Sequence, residues 1–151
     1  MNLLLDTNIL LNLIKDPSGL LLKGVVNPHN KMIFVSVVSI AELKSITLQN
    51  SWGSKRMQAI ENVLNQVSVI EVNEDLVNTY VEIDSYSQRR NPRIVDYPFA
   101  TPRNMGKNDL WIAATACLLG LKLVTTDNDF NHLHQVFLEV QCLKPEIFRR
   151  R

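Results

Sequence analysis

The chain has 151 residues, of which 46% are hydrophobic and 21% charged, a globular balance that excludes a disordered or low-complexity polymer and suffices for one ordinary domain with a buried core. Sixteen Lys and Arg against fifteen Asp and Glu leave a net charge of +1, so no overall basic excess points to nucleic acid and any basic surface must be local. Cys117 and Cys142 are the only cysteines, and neither has a ligand companion at short spacing, which argues against a disulfide scaffold or a zinc knuckle.

The opening Met1-Asn2-Leu3-Leu4-Leu5-Asp6 lacks a basic leader and breaks at an acid, unlike a signal peptide. The apolar run 112–121 is too short to span a bilayer. A reducing, cytoplasmic setting without membrane contact is expected. Residues 3–5 read as a buried strand. Ile9, Leu10, Leu13 and Ile14 then recur at helical spacing, with Thr7 or Asn8 available as cap and Pro17 as stop. A short helix fits residues 20–26. A second strand is expected over 32–35, then a helix from Val37 whose stripe is Ile40, Leu43, Ile46 and Leu48. Met57, Ile60, Val63 and Leu64 mark a further helix, residues 67–72 a strand and residues 74–89 a helix. Residues 90–107 hold Pro92, Pro98, Pro102 and Gly106 and read as a loop. Asn108-Asp109 opens an apolar helix stopped by Gly120; a strand at 121–124 and a weak one at 136–140 complete the order. Strands alternating with helices predict an α/β fold with a mainly parallel sheet in a single domain, residues 1–151.

Within that order the informative residues are carboxylates. Asp6 ends the first strand and Asp127 a late one, and parallel sheets bind ligands outside the carboxyl ends of their strands. Glu42 lies one turn into the helix after the second strand, and Asp109 starts the most apolar helix. Singly, each has an ordinary reading: strand end or cap for Asp6, surface acid for Glu42, helix-start acid for Asp109, turn acids for Asp127 and Asp129. Four acids on one rim, however, would repel one another and raise each other's pKa. A divalent ion removes that conflict, and an all-oxygen donor set selects Mg²⁺ or Mn²⁺ over zinc. His29, His132 and His134 lie outside these motifs and receive no role.

Four segments, Leu4-Leu5-Asp6-Thr7-Asn8, Ser39-Ile40-Ala41-Glu42-Leu43, Asn108-Asp109-Leu110-Trp111-Ile112-Ala113-Ala114 and Thr125-Thr126-Asp127-Asn128-Asp129-Phe130, give the chain a resemblance to PIN-domain ribonucleases, and most closely to VapC-type toxins of toxin–antitoxin pairs. The resemblance implies a three-layer α/β/α sandwich, metal-dependent endoribonuclease activity through a metal-activated water, an antitoxin protein as partner, and a homodimer. It assigns Asp6, Glu42, Asp109 and Asp127 as catalytic, metal-holding acids, with Asp6 and Asp109 as the best direct ligands, and Asn8, Thr125 and Asp129 as supporting polar positions. Residues 90–107 form a longer connector than compact members carry. Arg89, Arg90, Arg93, Arg103 and Lys107 stand there against Asp96 alone, which makes the loop a candidate RNA guide, with Tyr97 and Phe99 either stacking on bases or packing on the body. The basic tail Arg149-Arg150-Arg151 reads as a solvated charge run. Ile46, Leu48, Trp52, Met57 and Ile60 are read as core, unless an exposed Trp52 marks an antitoxin groove.

Three other functions compete. A phosphatase using Asp6 as nucleophile often wants a second acid at position 8, where Asn8 stands. A DNA or flap-type nuclease would use the same acids. A non-catalytic RNA-binding or assembly module would be expected to have lost some of them.

Overall fold

The computed structural model describes residues 1–149. Five short strands, β1 (Leu3–Leu5), β2 (Ile33–Ser36), β3 (Ser68–Ile70), β4 (Lys122–Thr125) and β5 (Glu139–Cys142), form one sheet in the order β3-β2-β1-β4-β5. Every pairing in it is parallel. Helices α1 (Thr7–Ile14), α2 (Val37–Gln49), α3 (Ser54–Leu64), α4 (Val77–Ser87) and α5 (Lys107–Leu119) carry the chain between them.

The three-layer α/β/α arrangement follows from the alternation of side chains along these strands. Leu3, Leu5, Val35 and Val124 join Ile9, Leu10, Leu13, Leu43, Ile60 and Val63 in one buried cluster. Leu4 and Leu123 join Ile83, Leu110, Ile112, Ala113 and Phe130 in another. Strands covered on both faces have no polar side to show, which is why Leu3-Leu4-Leu5 is a continuous apolar run. Gly120 ends α5 with φ 64°, the left-handed conformation that glycine adopts without steric cost.

The order of the strands creates the site. The chain builds outward from β1 through β2 to β3, then returns to the other side of β1 for β4. The sheet therefore changes direction between β1 and β4. At such a reversal the loops leaving the two strands diverge and open a crevice at their carboxyl ends. Leu5 pairs with Val124, so the residues that follow, Asp6 just after β1 and Thr125 at the end of β4, face each other at that crevice.

Several boundaries differ from expectation. Of the three residues open to capping α1, Asp6 takes the role and Thr7 and Asn8 do not, its Oδ1 accepting from Thr7 N at 2.8 Å. The short helix expected over 20–26 is present, and its residues 22–26 wind as a π-helical turn. The strand expected at 136–140 is displaced to Glu139–Cys142. Residues 134–138 are taken up by a tight turn with Gln135 at φ 60°, in which Phe137 N donates to Leu133 O at 3.0 Å and Gln135 N to Leu138 O at 2.8 Å. Leu48 is 83% exposed and leaves the stripe assigned to α2. Of the basic tail, Arg149 is exposed, and Arg150 and Arg151 lie outside the described residues.

Candidate metal centre

Five carboxylates from five segments meet at the crevice. Asp6 follows β1, Glu42 projects from the second turn of α2, Asp109 sits in the first turn of α5, Asp127 follows β4, and Asp129 lies in the 3₁₀ turn Asn128–Leu133. Asp109, Asp127 and Asp129 each offer an oxygen within 4.8 Å of the others. Asp6 and Glu42 act on the same group through their charge. Among the described residues, no ion pair joins Lys, Arg or His to any of the five.

Threonine hydroxyls hold the two inner acids. Thr125 Oγ1 donates to Asp6 Oδ2 at 2.7 Å, a buried bond that closes the gap between β1 and β4. The same Oγ1 accepts from Asp127 N at 3.0 Å. Thr7 Oγ1 donates to Glu42 Oε1 at 2.7 Å, tying α1 to α2. Thr125 thus holds a neighbouring carboxylate. Asn8 instead accepts a long 3.4 Å contact from Thr126 N. Thr7 was missed as a site residue. Its signal was a hydroxyl immediately after a strand-end acid, which cap statistics alone explain equally well.

Burial, with crowding added to it, sets the protonation of the cluster. Asp109 is pushed up to about 7, first by burial and then by the charges of Asp6, Asp127, Glu42 and Asp129. Asp6 is also raised, chiefly by burial, with Asp127 and Glu42 adding and the bonds from Thr125 and Thr7 opposing. Charges of one sign gathered without an opposite charge cost free energy in the folded state. All-carboxylate oxygen donors are the donor set of a hard divalent ion, so the residues fit Mg²⁺ or Mn²⁺. His132 belongs elsewhere: it lies 2.7 Å from Ser87 Oγ, stacks parallel to Tyr86, and is lowered to about 4 by burial and by Arg103. It is therefore neutral at physiological pH.

The 90–107 loop docks on the body. Phe99 is buried, with its ring 5.3 Å from Tyr86, and the Tyr97 hydroxyl accepts from Asn91 N at 3.0 Å. Of the two uses expected for these aromatics, packing is the one observed; Phe99 has no face left for a base. The five cations of the loop disperse. Arg93 pairs with Glu82, Arg89 covers Tyr97 at 5.2 Å, and Arg90 is exposed. Lys107 is the first residue of α5, two before Asp109. Arg103 lies over Phe99 at 5.5 Å and lines a cleft that also reaches Asp129. An apolar cleft of about 670 Å³ lies along α1 and α3, walled by Leu13, Ile14, Leu22, Trp52, Ala59 and Val63. Trp52 is half-buried, packing on the core while facing this cleft, with Arg56 4.9 Å from its ring. Ile60 is core as expected, whereas Met57 is 42% exposed.

A sequence profile of the PIN domain matches residues 3–135, which carry all five acids. The chain belongs to the PIN domain family. Solved structures agree on the fold of this PIN domain. One is VapBC2 from Rickettsia felis bound to a DNA fragment from its promoter, with a TM-score of 0.73 at 21% identity. A second is VapBC-1 from nontypeable Haemophilus influenzae, with a TM-score of 0.70 at 26% identity. In both, the match covers 94% of this chain and 98% of the other. A third, FitAB bound to an IR36 DNA fragment, has a TM-score of 0.66 at 18% identity and covers 93% and 94%. No curated protein matches by sequence. Among the described residues, no helix is long and apolar enough to cross a membrane.

Proposed function

We propose that this PIN domain is a divalent-metal-dependent endoribonuclease, the toxin of a toxin–antitoxin pair acting in the cytoplasm. The observation that carries the reading is the gathering of five carboxylates at the sheet's reversal point, none of them in an ion pair with Lys, Arg or His among the described residues. Asp109, Asp127 and Asp129 would hold a divalent ion, with Asp6 and Glu42 beside them. Such an ion supplies a bound water of lowered pKa and neutralises charge that develops on the phosphodiester.

The chain's own residues arrange the rest. Thr125 and Thr7 aim Asp6 and Glu42, so these acids need no reorganisation when the crevice is filled. The β1 and β4 ends fix Asp6 and Asp127 on a rigid sheet, and α5 fixes Asp109. Asp6 is a poor nucleophile, since both its oxygens already accept hydrogen bonds and it is 4% exposed. That argues against the phosphatase alternative. The presence of every acid argues against a module that only binds RNA. VapBC proteins, like the two compared above, form a family of toxin–antitoxin systems, and the apolar cleft along α1 and α3 is where an antitoxin segment would seat, its apolar face toward Trp52 and its acids toward Lys55 and Arg56.

The test is cleavage by purified protein of one sequence made as single-stranded RNA and as DNA, with Mn²⁺ and then with EDTA. Cut RNA, intact DNA and silence in EDTA are expected. Cleavage that persists in EDTA contradicts the metal requirement, and equal cleavage of DNA contradicts the substrate class.

A further inference from the structure

Two clefts adjoin the acid cluster, and they differ in chemistry. One, of about 510 Å³, touches Glu42 and is otherwise walled by Val38, Ala41, Ser45, Ile46 and Asn108. It contains no cation. The other, of about 690 Å³, opens between the 98–104 stretch of the long loop and residues 128–136, and Asp129 forms part of its wall. A molecule held in this second cleft is next to the carboxylates by construction, because Asp129 belongs to both.

Resting on the nuclease reading above, we infer that this second cleft holds the nucleotide of a single-stranded RNA that flanks the scissile phosphate. In this arrangement Arg103 takes that nucleotide's phosphate, and Asn104, Asn128 and Asn131 face its base.

The volume lies within the roughly 300–1,000 Å³ typical of small-molecule sites. The charge pattern fits as well. A polyanion approaching five carboxylates needs a counter-charge outside the metal centre, and Arg103 is the arginine in the wall. Among the described residues no acid pairs with it, and its planar fork suits a phosphate better than an ammonium does. Its place is fixed: Arg103 N donates to Ser87 O at 2.7 Å and the guanidinium rests over Phe99. The buried Phe99 is thus the platform for the cation rather than for a base.

The amides give the second half of the recognition. Asn131 Nδ2 donates to Asn128 Oδ1 at 3.2 Å, and Asn104 Oδ1 accepts from Gln88 at 3.3 Å. These bonds orient the side chains and leave the Asn104 and Asn128 amide N–H groups and the Asn131 oxygen without a partner among the described residues. Donors and acceptors on the two walls of the cleft match the mixed edges of a nucleobase. Only an unpaired, unstacked base can present such an edge to a cleft, which selects single-stranded over duplex RNA.

Two measurements test this. First, oligoribonucleotides cut by the wild type are made with 4-thiouridine at successive positions around the mapped cut and irradiated with Asp6→Asn protein, which leaves them intact. The nucleotide beside the cut is expected to crosslink to peptides from 98–104 or 128–136. Crosslinks from that nucleotide only to other peptides overturn the inference. Second, Arg103→Gln is expected to raise KM about 5–20-fold with kcat within twofold, and to reduce the slope of log kcat/KM against log salt by about 0.7, one single-strand phosphate contact. Lys31→Gln, before β2 at the opposite rim of the sheet, serves as the charge-matched control and should change neither. Wild-type cleavage with unchanged KM and slope in Arg103→Gln removes the cleft alone. Failure of the wild type to cut any RNA removes the nuclease reading beneath it.

Discussion

Asp6→Asn is expected to lower RNA cleavage by about 10²–10³-fold or more, the scale of removing one group that stabilises developing charge, while the protein stays folded. The side chain keeps its shape. One oxygen remains to accept from Thr7 N, where Asp6 caps α1. The new amide then faces Thr125 Oγ1, and a hydroxyl can accept as well as donate. The structural cost should therefore stay near the 1–2 kcal/mol of a perturbed buried hydrogen bond. What is lost is a negative charge at the centre of the cluster, where it acts on both Asp109 and Glu42. Initial rates in Mn²⁺, with circular dichroism as a check on folding, decide the matter. A rate within tenfold of the wild type would remove Asp6 from the chemistry.

Asp109→Asn is expected to stabilise the metal-free protein at pH 8 and to bring no such gain at pH 4. The Asp109 carboxyl is raised from 3.8 to about 7 in the fold. Below pH 4 it is protonated whether the chain is folded or not, so it imposes no penalty. Between about pH 4 and 7 the unfolded chain releases this proton while the folded chain retains it, and stability falls as pH rises. Above pH 7 the penalty is complete, and asparagine removes it. A shift of this size corresponds to about 2–4 kcal/mol after allowance for solvent near the crevice, or roughly 5–10 °C in Tm for a chain of this length. Thermal unfolding in EDTA at both pH values reads the difference. An equal Tm change at pH 4 and pH 8 would show that neither burial nor the neighbouring acids raise Asp109 in the fold. The same substitution should stop cleavage, so stability and activity move in opposite directions at one residue.

How much of this was visible in the sequence depended on how local the determining physics was. Residues 3–5, the Gly120 stop and the acid-bearing starts of elements are short-range features and were legible, as was the parallel α/β order. The placing of Asp6 opposite Thr125 was readable only through topology, because the two lie 119 positions apart and meet where the sheet reverses. The cap of α1 stayed open among Asp6, Thr7 and Asn8 because all three are good caps; tertiary demand for Asp6 at the rim decides among them. β5 was misplaced because the turn at 134–138 consumes its apolar residues. Likewise, no local pattern says that Phe99 packs against Tyr86 while Arg103 covers it, nor that Arg93 is paired with Glu82 whereas Arg103 lines a cleft.

Everything functional here depends on the acids at the reversal point sharing a divalent ion. Calorimetric titration of the metal-free protein with Mn²⁺ tests that directly, without RNA. Saturable binding is predicted, strengthening from pH 6 to pH 8 as Asp109 loses its proton, and weakening at least about tenfold in both Asp6→Asn and Asp109→Asn. No saturable binding at pH 8, or equal affinity in all three proteins, would contradict it.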